Sequence, residues 1–242
     1  MDIAIRADLE LPGLSEKVVS RMRLAVFAAI LIVLCSAGTW ADDTAAIKKK
    51  AESGDAAAQF EMAQFYATEA GKARSERRAL RDQKRAFDWY ARSAEQGFAR
   101  AQFNLGGMYI LGKSVAQDKG RGVDLQVKAA EQGLAEAQFE IGLRYLSGAV
   151  LEQDLDAALD MFTEAANQRH LPALKQLGTM YFQGAGVARD YVQAHLWFSA
   201  AALNDDKAAE GYVSMLETVM DETQIDEARA LAAQWQTDHM GE

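Results

Sequence analysis

Proline, cysteine and runs of β-branched residues are scarce in this chain of 242 residues. It contains two prolines, Pro12 and Pro172, and one cysteine, Cys35. Helix formers such as Ala, Leu, Gln, Glu and Met are abundant instead, and little material remains for a sheet. This composition predicts an all-α protein. A single cysteine excludes an intramolecular disulfide framework and a zinc site built from several thiolates, so packing has to stabilise the fold.

Catalytic, metal-binding and nucleic-acid-binding patterns are missing as well. The formal net charge of −9 argues against nucleic acid as a partner, because phosphates require a basic surface. The three histidines, His170, His195 and His239, show neither His-x-x-x-His spacing nor a carboxylate pairing typical of metal sites. We therefore predict no catalytic residue, no cofactor, no metal ion and no small-molecule substrate.

The longest apolar run is short for a membrane-spanning helix, which needs roughly 20 residues. It covers 24–34, follows two arginines and precedes small residues and an acidic pair, a pattern typical of a secretory signal peptide. We predict cleavage after Ala41 and a periplasmic or secreted protein. An uncleaved signal would instead anchor the protein at the inner membrane and make the membrane a partner. Met22 is an alternative start, because the acidic residues before it are unusual in a signal.

A repeat of 36 residues dominates the rest of the chain. The tetrapeptide AEQG begins at Ala94 and at Ala130, and the same spacing leads to Ala166 and Ala202. A related AESG begins at Ala51, 43 residues before Ala94, so the first repeat carries seven extra residues. Self-similarity at such a period is typical of a solenoid, in which each unit packs on its neighbours.

These spacings divide the chain into seven consecutive segments, and each repeat is taken to begin at its AEQG-like alanine. The segments are a signal peptide over 1–41, an N-terminal linker over 42–50, repeat one with its insertion over 51–93, repeat two over 94–129, repeat three over 130–165, repeat four over 166–201, and a degenerate fifth repeat with a capping helix over 202–242.

Each repeat contains two helices, here named A and B. The A helix is clearest in Ala101–Tyr109 and Ala137–Tyr145, where apolar and small residues recur at helical spacing. Glycine inside a helix costs roughly 1 kcal/mol relative to alanine, so small residues at one A-helix position predict that another helix crosses closely there. These residues, five positions after the leading alanine, are Ala63, Gly106, Gly142, Gly178 and Ser214.

The segments between the A and B helices share a glycine near their start and an aspartate at their end. The aspartates, Asp118, Asp154 and Asp190, are 36 residues apart. Glycine can end a helix in the left-handed conformation, and aspartate can cap the next helix by accepting its free N–H groups. We interpret these aspartates as caps and not as catalytic acids.

The pattern resembles the Sel1-like repeat, a relative of the tetratricopeptide repeat, whose units run approximately AEQGxAxAQxxLGxxYxxGxGVxxDxxxAxxWxxxAA. The resemblance covers about Ala51 to Ala202. It implies a right-handed α-solenoid of antiparallel helical hairpins, with a concave face that binds a protein or peptide. Two departures stand out. Repeat two lacks the aromatic pair of the B helix, and repeat four has Arg169 and Lys175 where the family has glycine and an aromatic residue.

Two surfaces are candidates for partner binding. The first is a stripe on the concave face, at the third and seventh positions after the leading alanine of each A helix. Residues four apart lie on one side of a helix, so we predict that this stripe is exposed. Burial of its methionines in the core is an equal alternative. The stripe consists of Asn104, Met108, Glu140, Arg144, Gln176 and Met180. The second is the basic insertion over 72–85, with Arg77, Arg78 and Arg81 as candidate contacts. This insertion could bind an acidic partner, or it could bind lipid headgroups if the signal stays attached. The alternative is that it is only a solvated extension of the hairpin.

Together these patterns predict an exported scaffold for protein–protein interaction in the bacterial cell envelope, and not an enzyme. One alternative is an accessory protein tethered to the inner membrane by an uncleaved signal. Another is a hydrolase of cell-wall material, as has been suggested for some members of the family, although the sequence contains no convergent catalytic group for it.

Overall fold

The structure is a computed structural model that describes residues 44–204 and 206–240 of the chain. Within these ranges the chain folds into eleven helices and no strand, which confirms the all-α prediction. The predicted signal peptide over 1–41 lies outside the described residues. No helix in the described ranges is both long and apolar enough to cross a membrane.

Ten of the helices form five A/B units, and α1, at 44–52, precedes them. The A helices are α2 (Ala56–Lys72), α4 (Ala99–Leu111), α6 (Ala135–Ser147), α8 (Leu171–Gln183) and α10 (Lys207–Glu217). The B helices are α3 (Glu76–Glu95), α5 (Lys119–Glu131), α7 (Leu155–Asn167), α9 (Tyr191–Ala202) and α11 (Glu222–Met240). In the first four units each A helix packs on its own B helix, and each B helix packs on the next A helix. The chain is therefore the predicted right-handed α-solenoid.

Residues 44–50 of the predicted N-terminal linker over 42–50 are helical and belong to α1. Ile47 packs against the small apolar cluster formed by Ala51, Ala58 and Met62. Burial of this apolar surface stabilises α1 in place. The helix thereby covers the end of the first unit, as terminal elements of solenoids do.

The seven extra residues of repeat one lengthen its helices and not its loop. Helices α2 and α3 contain 17 and 20 residues, whereas the A and B helices of units two and three contain 13 each. The connection between α2 and α3 spans only residues 73–75. The basic insertion thus lies at the far end of a long helical hairpin.

The predicted close crossing of the A and B helices is confirmed. A Cβ atom added to Gly142 would lie 2.7 Å from the ring of Phe162, which is fully buried. In unit two, which lacks the aromatic pair, a Cβ atom on Gly106 would lie 2.5 Å from the backbone oxygen of Gly122. A second glycine therefore allows backbone contact where the aromatic ring is missing. Ser214 in unit five is exposed, so the crossing does not recur there.

The aspartates between A and B helices are N-caps, as predicted. Each carboxylate oxygen accepts a hydrogen bond from the backbone N–H three residues later, at 3.0 Å for Asp118, 2.9 Å for Asp154 and 3.0 Å for Asp190. The preceding A helices end on glycines with positive φ, namely Gly112, Gly148 and Gly184. Each cap satisfies a free N–H group at the start of its B helix and thereby stabilises that helix.

Candidate protein-binding surfaces

The A helices of units one and two form a groove that brings two of the predicted contact residues together. This first A groove has a volume of about 400 Å³ and lies between α2 and α4. Ala67 and Gly71 line one side, and Asn104, Met108 and Leu111 line the other. Its floor is apolar and its rim includes polar groups, which is the chemistry of a site for an apolar side chain.

A second A groove of about 300 Å³ follows along the same face. It is lined by residues of three successive A helices or their N-caps, including Gln64, Phe103 and Glu136. Asn104 lines both grooves, and its side-chain amide donates to the Arg100 carbonyl at 3.0 Å. The two grooves form a continuous strip, called here the A face, and Asn104 lies at its centre.

The remaining stripe residues do not extend this strip. Met180 is fully buried beside Leu177, so the prediction that it is exposed is wrong and the alternative, a core position, is correct. The seventh position lies at the border of the buried face, where the neighbouring units decide its exposure. Met108 at the same position is half-buried, as are Glu140 and Gln176.

Arg144 is largely used within the fold. Its guanidinium donates to the Gln126 side-chain oxygen at 2.9 Å, and its side chain is only 17% exposed. Gln126 occupies the position that Phe162 holds one unit later. Gln126 therefore replaces the aromatic ring in unit two, and its side-chain oxygen accepts a hydrogen bond from Arg144 of unit three. This contact leaves Arg144 little freedom to bind a partner.

In the basic insertion, the three predicted arginines are exposed. Arg77, Arg78 and Arg81 all lie on the first part of α3. The Asp82 side chain, only 4% exposed, forms ion pairs with Arg78 Nε at 3.5 Å and Arg81 Nε at 3.6 Å. Arg85 Nη1 approaches the same carboxylate at 3.4 Å. One buried acid thus holds three arginines at defined places on the helix.

A series of glutamine pairs, each with one buried and one exposed member, connects the helices and was not predicted from the sequence. The Gln132 side-chain amide donates to the Gln102 side-chain oxygen at 2.7 Å. Gln168 donates in the same way to Gln138, also at 2.7 Å. The donors are the glutamines of AEQG or its equivalent, and the acceptors are those of the AQF motif. The sequence did contain a signal, because both glutamines recur in successive repeats. Only the fold shows that their side chains form a hydrogen bond.

A groove on the opposite side of the solenoid recurs with the 36-residue period. The first such groove, between α3 and α5, has a volume of about 490 Å³, and the second, between α5 and α7, about 480 Å³. In the first, the Arg121 guanidinium lies 4.4 Å from the Tyr109 ring centroid, and Phe87 packs on the same ring. Equivalent positions therefore line successive grooves between the B helices.

The positions of Phe87, Tyr109 and Arg121 recur 108 residues later, between the fourth and the degenerate fifth unit, as His195, Glu217 and Arg229. His195 Nε2 lies 3.2 Å from Glu217 Oε1, and the Arg229 guanidinium donates to the same oxygen at 2.9 Å. The hydrogen bond from His195, followed by those from Arg229, lowers the pKa of Glu217. Unit five thus keeps the repeat register, although its sequence has diverged.

Ser199 Oγ lies 3.2 Å from His195 Nδ1, so serine, histidine and glutamate follow one another as in a hydrolase triad. His195 is only 2% exposed, however, and a catalytic base must reach its substrate. The arrangement links α9, α10 and α11 and has the character of a structural network. No group of three or more His, Cys, Asp or Glu in the described ranges could hold a metal ion.

The surroundings of His170 predict that the free energy of unfolding depends on pH. Its ring packs against Phe139, and its Nδ1 is buried without a partner in the described residues. Burial lowers the pKa of His170 below 6.5, and the carboxylates of Glu136 and Glu140 only partly oppose this. A folded-state pKa below the unfolded value contributes stability above about pH 6.5, which is lost as the pH falls through the folded pKa.

We therefore expect the urea midpoint of the protein to fall as the pH is lowered from 7.5 to 5. The His170→Gln variant lacks this titration and should lose less stability over the same interval. Circular dichroism at 222 nm measures both series. Parallel curves for the two proteins would contradict the assignment, because the pH dependence would then arise elsewhere.

Comparison with known proteins places these units in a family. The family model described as Sel1 repeat matches residues 56–98, 99–134, 135–170 and 171–206. The four segments begin at the first residues of α2, α4, α6 and α8, and the first is seven residues longer than the others, as the sequence spacing predicted. The members of this family are generally non-catalytic scaffolds that bind proteins.

Two solved structures resemble the chain. The protective antigen c5321 of uropathogenic Escherichia coli strains, which displays an SLR fold, is 33% identical over 80% of this chain, with a TM-score of 0.67. A Sel1 repeat protein from Oxalobacter formigenes is 32% identical over 72% of this chain, with a TM-score of 0.64. The matches cover 40% and 48% of those two proteins. No curated protein matches the chain.

Proposed function

Because this chain belongs to the Sel1 repeat family, we propose that it is an exported scaffold that binds a protein or peptide partner on its A face in the bacterial cell envelope. The first A groove carries the proposal. It combines an apolar floor with the polar side chain of Asn104, and the exposed Leu111 lies in its wall. A concave lining that combines apolar side chains with a few polar groups is typical of a binding site.

A binding role also agrees with the chemistry of the remaining polar groups. The inter-helix aspartates cap helices, and the buried Gln102 accepts a hydrogen bond from Gln132. His195 is inaccessible, which weighs against the alternative of a cell-wall hydrolase. We therefore propose that the protein is not an enzyme and needs no cofactor.

The export part of the proposal relies on residues 21–41, which have the composition of a signal peptide. It is tested by mass spectrometry of the N-terminus of the native protein after cell fractionation. A chain that begins at Asp42 in the periplasm or the medium supports export with cleavage. A chain that retains residues 24–41 in the membrane fraction supports the tethered alternative, and a cytoplasmic protein overturns both.

The binding part is tested with Leu111→Glu and a matched control, Val150→Glu. Both side chains are exposed, at 61% and 52%, but only Leu111 lines the A groove. Cross-linking in envelope extract should capture one stoichiometric partner with the native protein and with Val150→Glu. Leu111→Glu should weaken capture by about tenfold, as loss of a central apolar contact does. Equal capture by both variants would overturn the A-face assignment.

A further inference from the structure

The end of the first hairpin carries a charge opposite to that of the whole chain. Residues 72–85 contain seven basic and two acidic residues, whereas the formal net charge of the chain is −9. The helices of this hairpin are longer than those of units two and three, so the charge lies on an extension that those units lack. Charge concentrated in this way attracts groups of opposite sign over roughly the Debye length, about 8–10 Å.

The acids of the hairpin do not neutralise this charge. Glu69 pairs with Lys72 and Arg78, and the buried Asp82 pairs with Arg78 and Arg81. Lys84 pairs with Asp88 at 3.1 Å. Arg74 and Arg77, by contrast, have no ion pair in the described part of the chain. Arg77 can therefore pair with a further carboxylate. Arg81, whose Nε lies 3.6 Å from Asp82 and whose side chain is 60% exposed, keeps further planar donors for a second one.

An exposed leucine lies among these cations. Leu80 is 57% exposed, and it is separated from Arg77 by three residues and from Lys84 by four, which places all three on one face of α3. Arg81 borders the same face. We call Arg77, Leu80, Arg81 and Lys84 the hairpin face. It is distinct from the A groove, which α3 lines with Gln83 and Ala86.

We infer that the hairpin face binds an acidic protein segment that carries one apolar side chain between its carboxylates. Carboxylates pair with Arg77 and Arg81, and the apolar side chain covers Leu80. An anionic membrane fits the face less well, because interfacial helices bury a broad apolar stripe and Leu80 is the single large apolar residue of this face. The inference deepens the proposed scaffold function and rests on it.

The test uses the purified protein and a fluorescein-labelled peptide of twelve Glu and Asp residues around a central Leu. Fluorescence anisotropy measures its affinity at 50 and 200 mM NaCl. The Arg77→Glu/Arg81→Glu variant should bind at least tenfold more weakly than the native protein, since like charges then face the peptide. The Arg121→Glu/Lys128→Glu variant, with the same change of charge on exposed residues of α5, should bind as the native protein does.

Leu80→Ala should weaken binding roughly threefold to tenfold, as loss of one buried apolar contact does, and a peptide with a central Ala should show the same loss. Circular dichroism confirms that each variant is folded. Equal losses for both double variants would overturn the inference, because total charge and not the hairpin face would then govern binding. Absence of peptide binding, or binding only to vesicles of phosphatidylglycerol and phosphatidylcholine, would overturn it as well.

The Leu111→Glu variant separates this inference from the proposed function. It should bind the acidic peptide with native affinity while losing the envelope partner of the A face. If it lost the peptide as well, the peptide would occupy the A groove and the hairpin face would be wrongly assigned. Failure of envelope capture with intact, arginine-dependent peptide binding would overturn the A-face proposal alone.

Discussion

The Phe162→Ala variant is expected to be less stable than the native protein by about 3–5 kcal/mol, the usual cost of removing a buried phenylalanine. Phe162 has no exposed surface, and its ring lies against Gly142 and Phe139. Truncation leaves a cavity in the middle unit of the array. Neighbouring helices cannot fill it, because caps and crossings hold them in place.

Urea unfolding followed by circular dichroism measures this loss. Phe65→Ala is the control, because Phe65 is 40% exposed and its truncation should cost under about 1 kcal/mol. Since the main helix–helix packing in the described residues is between neighbouring units, weakening unit three should also separate the unfolding of the two ends and broaden the transition. A similar cost for both variants would contradict the role assigned to Phe162.

Two adjacent glycines are expected to respond in opposite directions to alanine. Gly106→Ala should destabilise the protein by about 1–3 kcal/mol, as overpacking does, because the new methyl group would meet the Gly122 backbone oxygen at 2.5 Å. Gly107→Ala should stabilise it by about 0.5–1 kcal/mol, because alanine is the better helix former and no atom lies within 4 Å of the added group.

Both variants are measured by the same urea titration, with the m-value as a check that unfolding exposes the same surface. The gain in helix propensity from glycine to alanine is common to the two sites, because both lie in α4. The difference between the two variants therefore reports the cost of the close contact alone. Stabilisation by Gly106→Ala would show that α4 and α5 can separate at little cost, and would contradict the close crossing.

The fifth unit shows why similarity along the chain is an incomplete guide to structure. Its small-residue position, Ser214, is exposed, and its sequence departs from the repeat. The repeat register nevertheless continues to Glu217 and Arg229. His195 contacts Glu217, and Glu217 accepts a hydrogen bond from Arg229, at the positions where earlier units have an aromatic ring and an arginine. Packing on a preceding unit preserves register after the motif itself is lost.

The residues of the predicted concave stripe illustrate the complementary limit. Met108, Arg144 and Met180 share one position in the repeat, yet one lines a groove, one bonds to Gln126 and one is fully buried. A position at the border of a helix's buried face is covered or left open by neighbouring units. Helical spacing alone could not distinguish these outcomes. It specifies on which side of its own helix a residue lies, but not which neighbouring helix covers that side.

By itself, the sequence determined the features that depend on backbone hydrogen bonds and on spacing within a helix. These are the all-α class, the 36-residue period, the aspartate and glycine caps, and the small residues at the helix crossing. Only the tertiary structure decided which border residues are buried, that residues 44–50 form a helix and that Gln102 meets Gln132. The physical reason is that caps and periodicity act over a few residues, whereas burial and paired amides require two segments distant in sequence to pack together.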